Sequence, residues 1–99
     1  NLIHSLDATA MFRTMCIARS RGVTSVAAIH DSYATHAADS QTLAEATRQA
    51  YVEVFGPDVL ARLRDELFAQ LPPGAELPPL PEYGSFDVES VRQSRYFFN

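Results

Sequence analysis

Tryptophan is absent from this chain of 99 residues, and cysteine occurs once, as Cys16. A single thiol excludes an internal disulfide framework and fits a reducing, intracellular setting. No apolar run approaches the ~20 residues needed to span a bilayer, and no basic-then-apolar leader resembles a signal peptide. No membrane partner is therefore expected. Basic residues are outnumbered, eight Lys and Arg against twelve Asp and Glu, for a net charge of −4. That balance excludes an autonomous nucleic-acid-binding module, which is normally basic, but does not exclude one part of a larger binding protein. An initiator methionine is also lacking. The opening "NLIHSLDATA" is already in helical register, as expected of a piece of a longer protein. No internal repeat or low-complexity tract is visible.

The remaining composition is that of a globular chain, 46% hydrophobic and 20% charged, with room for one small, modestly buried domain. Residues 2–21 predict a helix, because His4, Asp7, Ala8, Met11, Met15 and Ala18 recur at three- and four-residue spacing and share a face. Gly22 supplies its stop. "VTSVAAIH" (23–30) is β-branched and too short for a typical helix, so it predicts a strand covered on both faces. "DSYA" is the expected turn and "THA" a short return strand. Asp39 or Ser40 suits the N-cap of a second helix, with Leu43, Ala46, Ala50 and Val54 on one face, broken by Gly56-Pro57. Asp58 can cap a third helix reaching about Leu71, with Leu60, Leu63, Leu67 and Phe68 as its stripe. "LPPGAELPPLPEYG" (71–84) holds all but one of the six prolines and predicts an extended, semi-rigid connector. Residues 85–99 complete the chain with a short helix capped by Asp87 and an aromatic tip at Tyr96, Phe97 and Phe98. The fold class expected is α+β.

The sharpest chemical feature is "IHDS", an apolar strand driven into His30, Asp31 and Ser32. A carboxylate at the end of a buried strand is rigidly held and still reaches a ligand. Hard cations such as Mg²⁺ take one or two carboxylates plus substrate phosphates, and two such ions about 4 Å apart stabilise the attacking and leaving oxygens of phosphoryl transfer. Asp31 alone cannot build that site. Asp-Ser is equally common turn chemistry, and both readings stay open on spacing alone. His30, Asp31 and His36 suggest a transition-metal site only weakly, since zinc wants more ligands at tighter spacing. His4 and Asp7, one helical turn apart, could face a ligand or cap the helix start. Met11 and Met15 read as core packing, whereas Glu45, Arg48 and Glu53 read as a solvated face, and Arg62 with Glu66 as a weak i,i+4 pair.

Taken as an ordered series, "NLIHSLD", "IHDS", the Pro-rich stretch and the aromatic end resemble the C-terminal end of the single-subunit DNA-dependent RNA polymerases, the phage and mitochondrial type. The resemblance extends over essentially all 99 residues. Asn1, His4, Ser5 and Asp7 match the family's Asn-x-x-His-Ser-x-Asp helix pattern. His30, Asp31 and Ser32 match the His-Asp-Ser turn of its palm hairpin, and Tyr96 to Asn99 match its aromatic foot. The resemblance implies that 1–99 are the last part of a polymerase palm, with 71–84 as connector and 85–99 as foot. It further implies that Asp31 is the second of two catalytic aspartates holding a Mg²⁺ pair, the first lying outside this chain. His4 would meet the minor-groove side of the newest base pair, and His30 the primer end. Ser5, Asp7 and Ser32 would support them, and Phe97, Phe98 and Asn99 would form the foot. Implied partners are a DNA template, nascent RNA, ribonucleoside triphosphates and the remainder of the polymerase chain, in a phage-infected bacterial cytoplasm or an organelle. The isolated segment would be inactive. Rival readings are a DNA polymerase palm of the same lineage, a metal-dependent phosphohydrolase using His4, His30, Asp31 and Asp58, and a non-catalytic helical interaction domain.

Overall fold

A computed structural model describes residues 1–97. Its order is helix α1 (Leu2–Ser20), strands β1 (Val26–Ile29) and β2 (Ser32–Thr35), a 3-10 turn (Ala37–Asp39), helices α2 (Ser40–Phe55) and α3 (Val59–Ala69), and a terminal 3-10 helix (Val88–Gln93). This is the expected α+β arrangement. Among the described residues no helix is long and apolar enough to cross a membrane.

Helix α1 ends in a Schellman motif. Gly22 takes φ +90°, its N–H donates to Arg19 O at 3.1 Å, and the Val23 N–H donates to Ala18 O at 3.0 Å. Glycine is needed there because a side chain resists that backbone conformation. The motif's hydrophobic closure is present too, since Ala18 and Val23 join the same buried cluster.

The core lies where α1 packs antiparallel on α2. Ile17, Ala18, Leu43, Ala46 and Ala50 fill it, and the three alanines have no exposed surface. Small residues at the crossing let the helices approach closely. Charged groups read as a solvated face instead tie this pair together. Arg13 Nε donates to Glu53 Oε2 at 2.6 Å, Arg21 Nη1 lies 3.8 Å from Glu45 Oε2, and Arg21 Nη2 donates to Gln49 Oε1. Arg13 opposite Glu53 and Arg21 opposite Glu45 fix the antiparallel register. The buried face of α1 is also rotated from the expected one. It carries Thr14, Ile17 and Ala18, while His4, Asp7 and Ala8 stay exposed and Met11 and Met15 are half-buried.

The hairpin is tighter than the sequence predicts. Val26 pairs with Thr35, Ala27 with Ala34, Ala28 with Tyr33 and Ile29 with Ser32, so the loop is His30-Asp31 alone. Ser32 and Tyr33 belong to the return strand, not to the turn. The strand is also covered on one face, not two. Val26, Ala28, Tyr33 and Thr35 turn inward, while Ala27, Ile29, Ser32 and Ala34 face out, and Ile29 is 74% exposed. Period-two alternation produces this in any half-covered antiparallel pair. At the open end Thr35 Oγ1 donates to Ser25 O at 2.6 Å.

At the start of α2, Asp39 occupies the N-cap position without a side-chain cap bond. Ser40 instead donates its hydroxyl to Ala37 O at 2.8 Å. Asp58 does cap α3, accepting from the Ala61 N–H at 2.9 Å, and it also accepts from the Tyr83 hydroxyl. The stripe on α3 buries no residue fully, and Leu67 and Phe68 remain about half exposed. The Pro-rich segment carries no regular element and folds back along α3, its Pro78 carbonyl accepting from Arg64 Nε at 3.3 Å. Within it Pro72 to Ala75 form a β-turn with Gly74 at φ +87° and the Ala75 N–H donating to Pro72 O at 3.2 Å, the proline-then-glycine order of a type II turn. The chain then returns to α2. Asp87 caps the last 3-10 helix through the Glu89 N–H at 3.0 Å, and Val91 is buried at 5% exposure. The described molecule is elongated, 57 × 27 × 20 Å.

Candidate functional site

Asp31 stands on the ridge between two clefts. The larger, about 920 Å³, is walled by His4, Asp7 and Met11 of α1, by His30 and Asp31 of the turn, by Tyr33, and by Tyr51 and Phe55 of α2. The smaller, about 500 Å³, lies between β2 and α2. It is lined by Asp31, Ser32, Tyr33, Thr35, Thr47 and Arg48, with Phe97 from the C-terminal segment. Reversal at Gly22 causes this convergence, because it lays the hairpin back along α1 and brings the turn to the helix's first two turns.

The turn itself is strained. His30 has φ +55° and is the one non-glycine residue with positive φ among the described residues. Histidine tolerates this region better than most residues, and such strain concentrates at functional sites. The strand ends before His30, so His30 occupies the loop.

Tyr33 links the turn to the core. Its ring packs on the buried cluster and its phenol meets the Thr14 hydroxyl of α1. Burial raises the Tyr33 pKa above 10.0, the Thr14 hydrogen bond opposes that rise, and the neighbouring Asp31 charge adds to it. The phenol is therefore neutral at physiological pH, and it stands close enough to Asp31 to feel its charge.

The clefts bring His4, Asp7, His30 and Asp31 together, and Ser32 with Phe97 on the other side of Asp31. Phe97 is half-buried and meets Tyr51 edge-on, with ring centroids 4.8 Å apart and planes at 73°; Tyr51 in turn contacts Phe55 at 4.4 Å. Ser5 lines neither cleft; it is exposed, and its carbonyl accepts from the Thr9 hydroxyl at 2.7 Å. Phe98 and Asn99 lie outside the described residues. Tyr33, Thr14, Tyr51 and Phe55 were not singled out from the sequence, and Arg48 was read only as part of a solvated face.

Among the described residues no three His, Cys, Asp or Glu side chains gather closely enough to hold a metal ion, so His30, Asp31 and His36 do not form a transition-metal site. The phosphohydrolase set is likewise not assembled, because Asp58 is the cap of α3 and lines neither cleft. For a hard divalent cation the donor chemistry fits in part. Asp31 offers an exposed carboxylate on a fixed turn, which is one oxygen-donor position, and the remaining ligands have to come from other groups.

Comparison with known proteins bears on the same residues. The family model described as DNA-dependent RNA polymerase matches residues 1–76. The whole chain is 41% identical to "DNA-directed RNA polymerase 1A" of Nicotiana tabacum, spanning 63% of that protein. It is 41% identical to "DNA-directed RNA polymerase 1, mitochondrial" and 42% identical to "DNA-directed RNA polymerase 2, chloroplastic/mitochondrial", both of Nicotiana sylvestris, spanning 10% of each. No solved structure matches the chain significantly.

Proposed function

Because the chain belongs to the single-subunit DNA-dependent RNA polymerase family, we propose that it forms the C-terminal part of such an enzyme's palm and serves template-directed ribonucleotidyl transfer. The observation that carries this reading is the position of Asp31, an exposed carboxylate on a strained turn between two clefts, bordered by His4, Asp7 and His30. Asp31 would hold Mg²⁺ together with an aspartate elsewhere in the polymerase chain. When bound, a pair of such ions polarises the reacting phosphate and stabilises its entering and leaving oxygens.

The chain's own residues contribute placement. The two-residue loop holds Asp31 on a paired strand, and Tyr33 anchors that strand to α1. His4 of α1 and His30 of the turn both line the larger cleft and would meet nucleic acid there, with Asp7 beside them. Ser32 and Phe97 border the carboxylate from the other side. One carboxylate is insufficient for the reaction, so the segment alone is inactive. The substrates are ribonucleoside triphosphates, with a DNA template and nascent RNA as partners. An organelle is the proposed compartment, in keeping with the mitochondrial and chloroplastic relatives.

Asp31→Asn in the full-length polymerase tests the assignment, since it keeps the side chain's size and removes its charge. Loss of several kcal/mol of metal-borne stabilisation predicts a fall of roughly a thousandfold in Mg²⁺-dependent RNA synthesis. Normal synthesis by that variant would falsify the role. Assaying ribonucleotides against deoxyribonucleotides separates the RNA polymerase from its DNA polymerase relatives.

A further inference from the structure

Arg48 makes three hydrogen bonds, all to main-chain carbonyls. Nη1 donates to Ala44 O at 2.9 Å, within its own helix. Nε donates to Ser94 O at 2.9 Å and Nη2 to Arg95 O at 3.3 Å. The last two acceptors lie where the chain leaves the final 3-10 helix, with Ser94 already extended at φ −66° and ψ 129°. Two residues later Phe97 lines the smaller cleft and packs edge-on against Tyr51. Arg48 lines that cleft as well, with Asp31 on the opposite wall.

We propose that Arg48 is a positioning residue for the C-terminal segment, fixing where Phe97 sits beside Asp31 and so setting the turnover of that site. The guanidinium is suited to this because its planar fork can hold a carbonyl of α2 and two carbonyls of the tail at once. A lysine ammonium is a point donor on a flexible stem and cannot span them. Val91 anchors the tail separately, through burial against α2. Removing Arg48 therefore frees residues 94–97 while the 3-10 helix stays docked. Only the effect on turnover rests on the proposed role of Asp31; the anchoring of the tail does not.

The experiment uses full-length polymerase carrying Arg48→Ala, Arg48→Lys, Phe97→Ala and the Arg48→Ala/Phe97→Ala pair, with Asp31→Asn assayed in parallel. In Arg48→Ala, amide hydrogen exchange over residues 94–97 should quicken about tenfold, the scale of one or two lost hydrogen bonds, with exchange around Val91 unchanged. The kcat for RNA extension should fall several-fold at unchanged KM for ribonucleotides. Arg48→Lys should behave like Arg48→Ala although it keeps the charge and the stem, and it carries the test if the alanine variant does not fold. In the Phe97→Ala background, Arg48→Ala should add no further loss. Unchanged exchange over 94–97, wild-type behaviour of Arg48→Lys, or additive losses in the double variant would each overturn the proposal. An active Asp31→Asn enzyme would refute the assigned chemistry and with it the turnover effect, leaving the exchange comparison to decide whether Arg48 anchors the tail.

Discussion

The Tyr33 phenol of β2 meets the Thr14 hydroxyl of α1, and Thr14 is itself buried at 1% exposure. Thr14 Oγ1 donates its one proton to Ala10 O at 2.9 Å, so the phenol meets a hydroxyl that the helix already holds. Tyr33→Phe keeps the ring and removes the link. Hydrogen-exchange protection over Val26–Thr35 should drop about tenfold, on the order of 1 kcal/mol for one net hydrogen bond. The double variant with Thr14→Val should lose less than the sum of the two single changes. Strict additivity would show that the two hydroxyls act independently.

The loop at His30 gives a ranked expectation. With φ at +55°, Asn or Gly at this position should retain the turn, because both enter the left-handed region readily. His30→Val should cost about 1–3 kcal/mol, since a β-branched side chain is strongly disfavoured there. Exchange rates of the hairpin amides in the three variants check the order, and equal protection in Val and Gly variants would contradict it.

The alanines at the α1–α2 crossing should resist enlargement. Ala50→Leu adds a branched side chain where Ala18, Ala46 and Ala50 have no exposed surface, and overpacking of this kind costs about 1–3 kcal/mol. A lowered thermal transition of the polymerase, or faster exchange in α1 and α2, is the expected readout. An unchanged transition together with unchanged exchange would mean the crossing has slack.

Most of the elements were legible in the sequence because strong local signals set them. Gly22 stops α1, Asp58 caps α3, and the proline cluster excludes regular structure from the connector. The hairpin register was not legible. "DSYATHA" has no Asn-Gly or Gly-Gly pair to mark a two-residue loop, and a histidine in the left-handed region leaves no compositional trace. Glu45, Arg48 and Glu53 were misread for a different reason, since their partners lie far along the chain and exposed charge looks alike whether paired or solvated. For the candidate site, His4, Asp7 and Asp31 were reachable through the ordered resemblance. Tyr33 and Arg48 act through packing and main-chain contacts, which no residue spacing encodes.

The pH response of the connector follows from Asp58 and Tyr83. The Tyr83 hydrogen bond, and after it the Ala61 N–H, hold the Asp58 carboxyl below its ordinary 3.8, while the same bond raises the Tyr83 phenol above 10.0. Asp58 therefore contributes stability above pH 3.8 that is lost as pH falls through its lower folded value. Tyr83 contributes stability below pH 10.0 that is lost as pH rises through its higher folded value. A carbon-detected NMR titration of Asp58 should show a midpoint below 3.8 that moves upward in Tyr83→Phe. A midpoint indifferent to that substitution would place the cause elsewhere.

Gly22 acts on the clefts from the opposite end of α1. Sixteen helical steps run from His4 to the helix end at Ser20, a lever arm of about 24 Å at 1.5 Å per residue. At that length a hinge rotation of only about 3° displaces the far end by more than 1 Å, a misplacement that can cost an enzyme about a hundredfold in rate. A substitution at Gly22 would leave every cleft-lining side chain intact and still change the gap between His4 and Asp31, so its phenotype would resemble an active-site defect in a residue that touches no substrate.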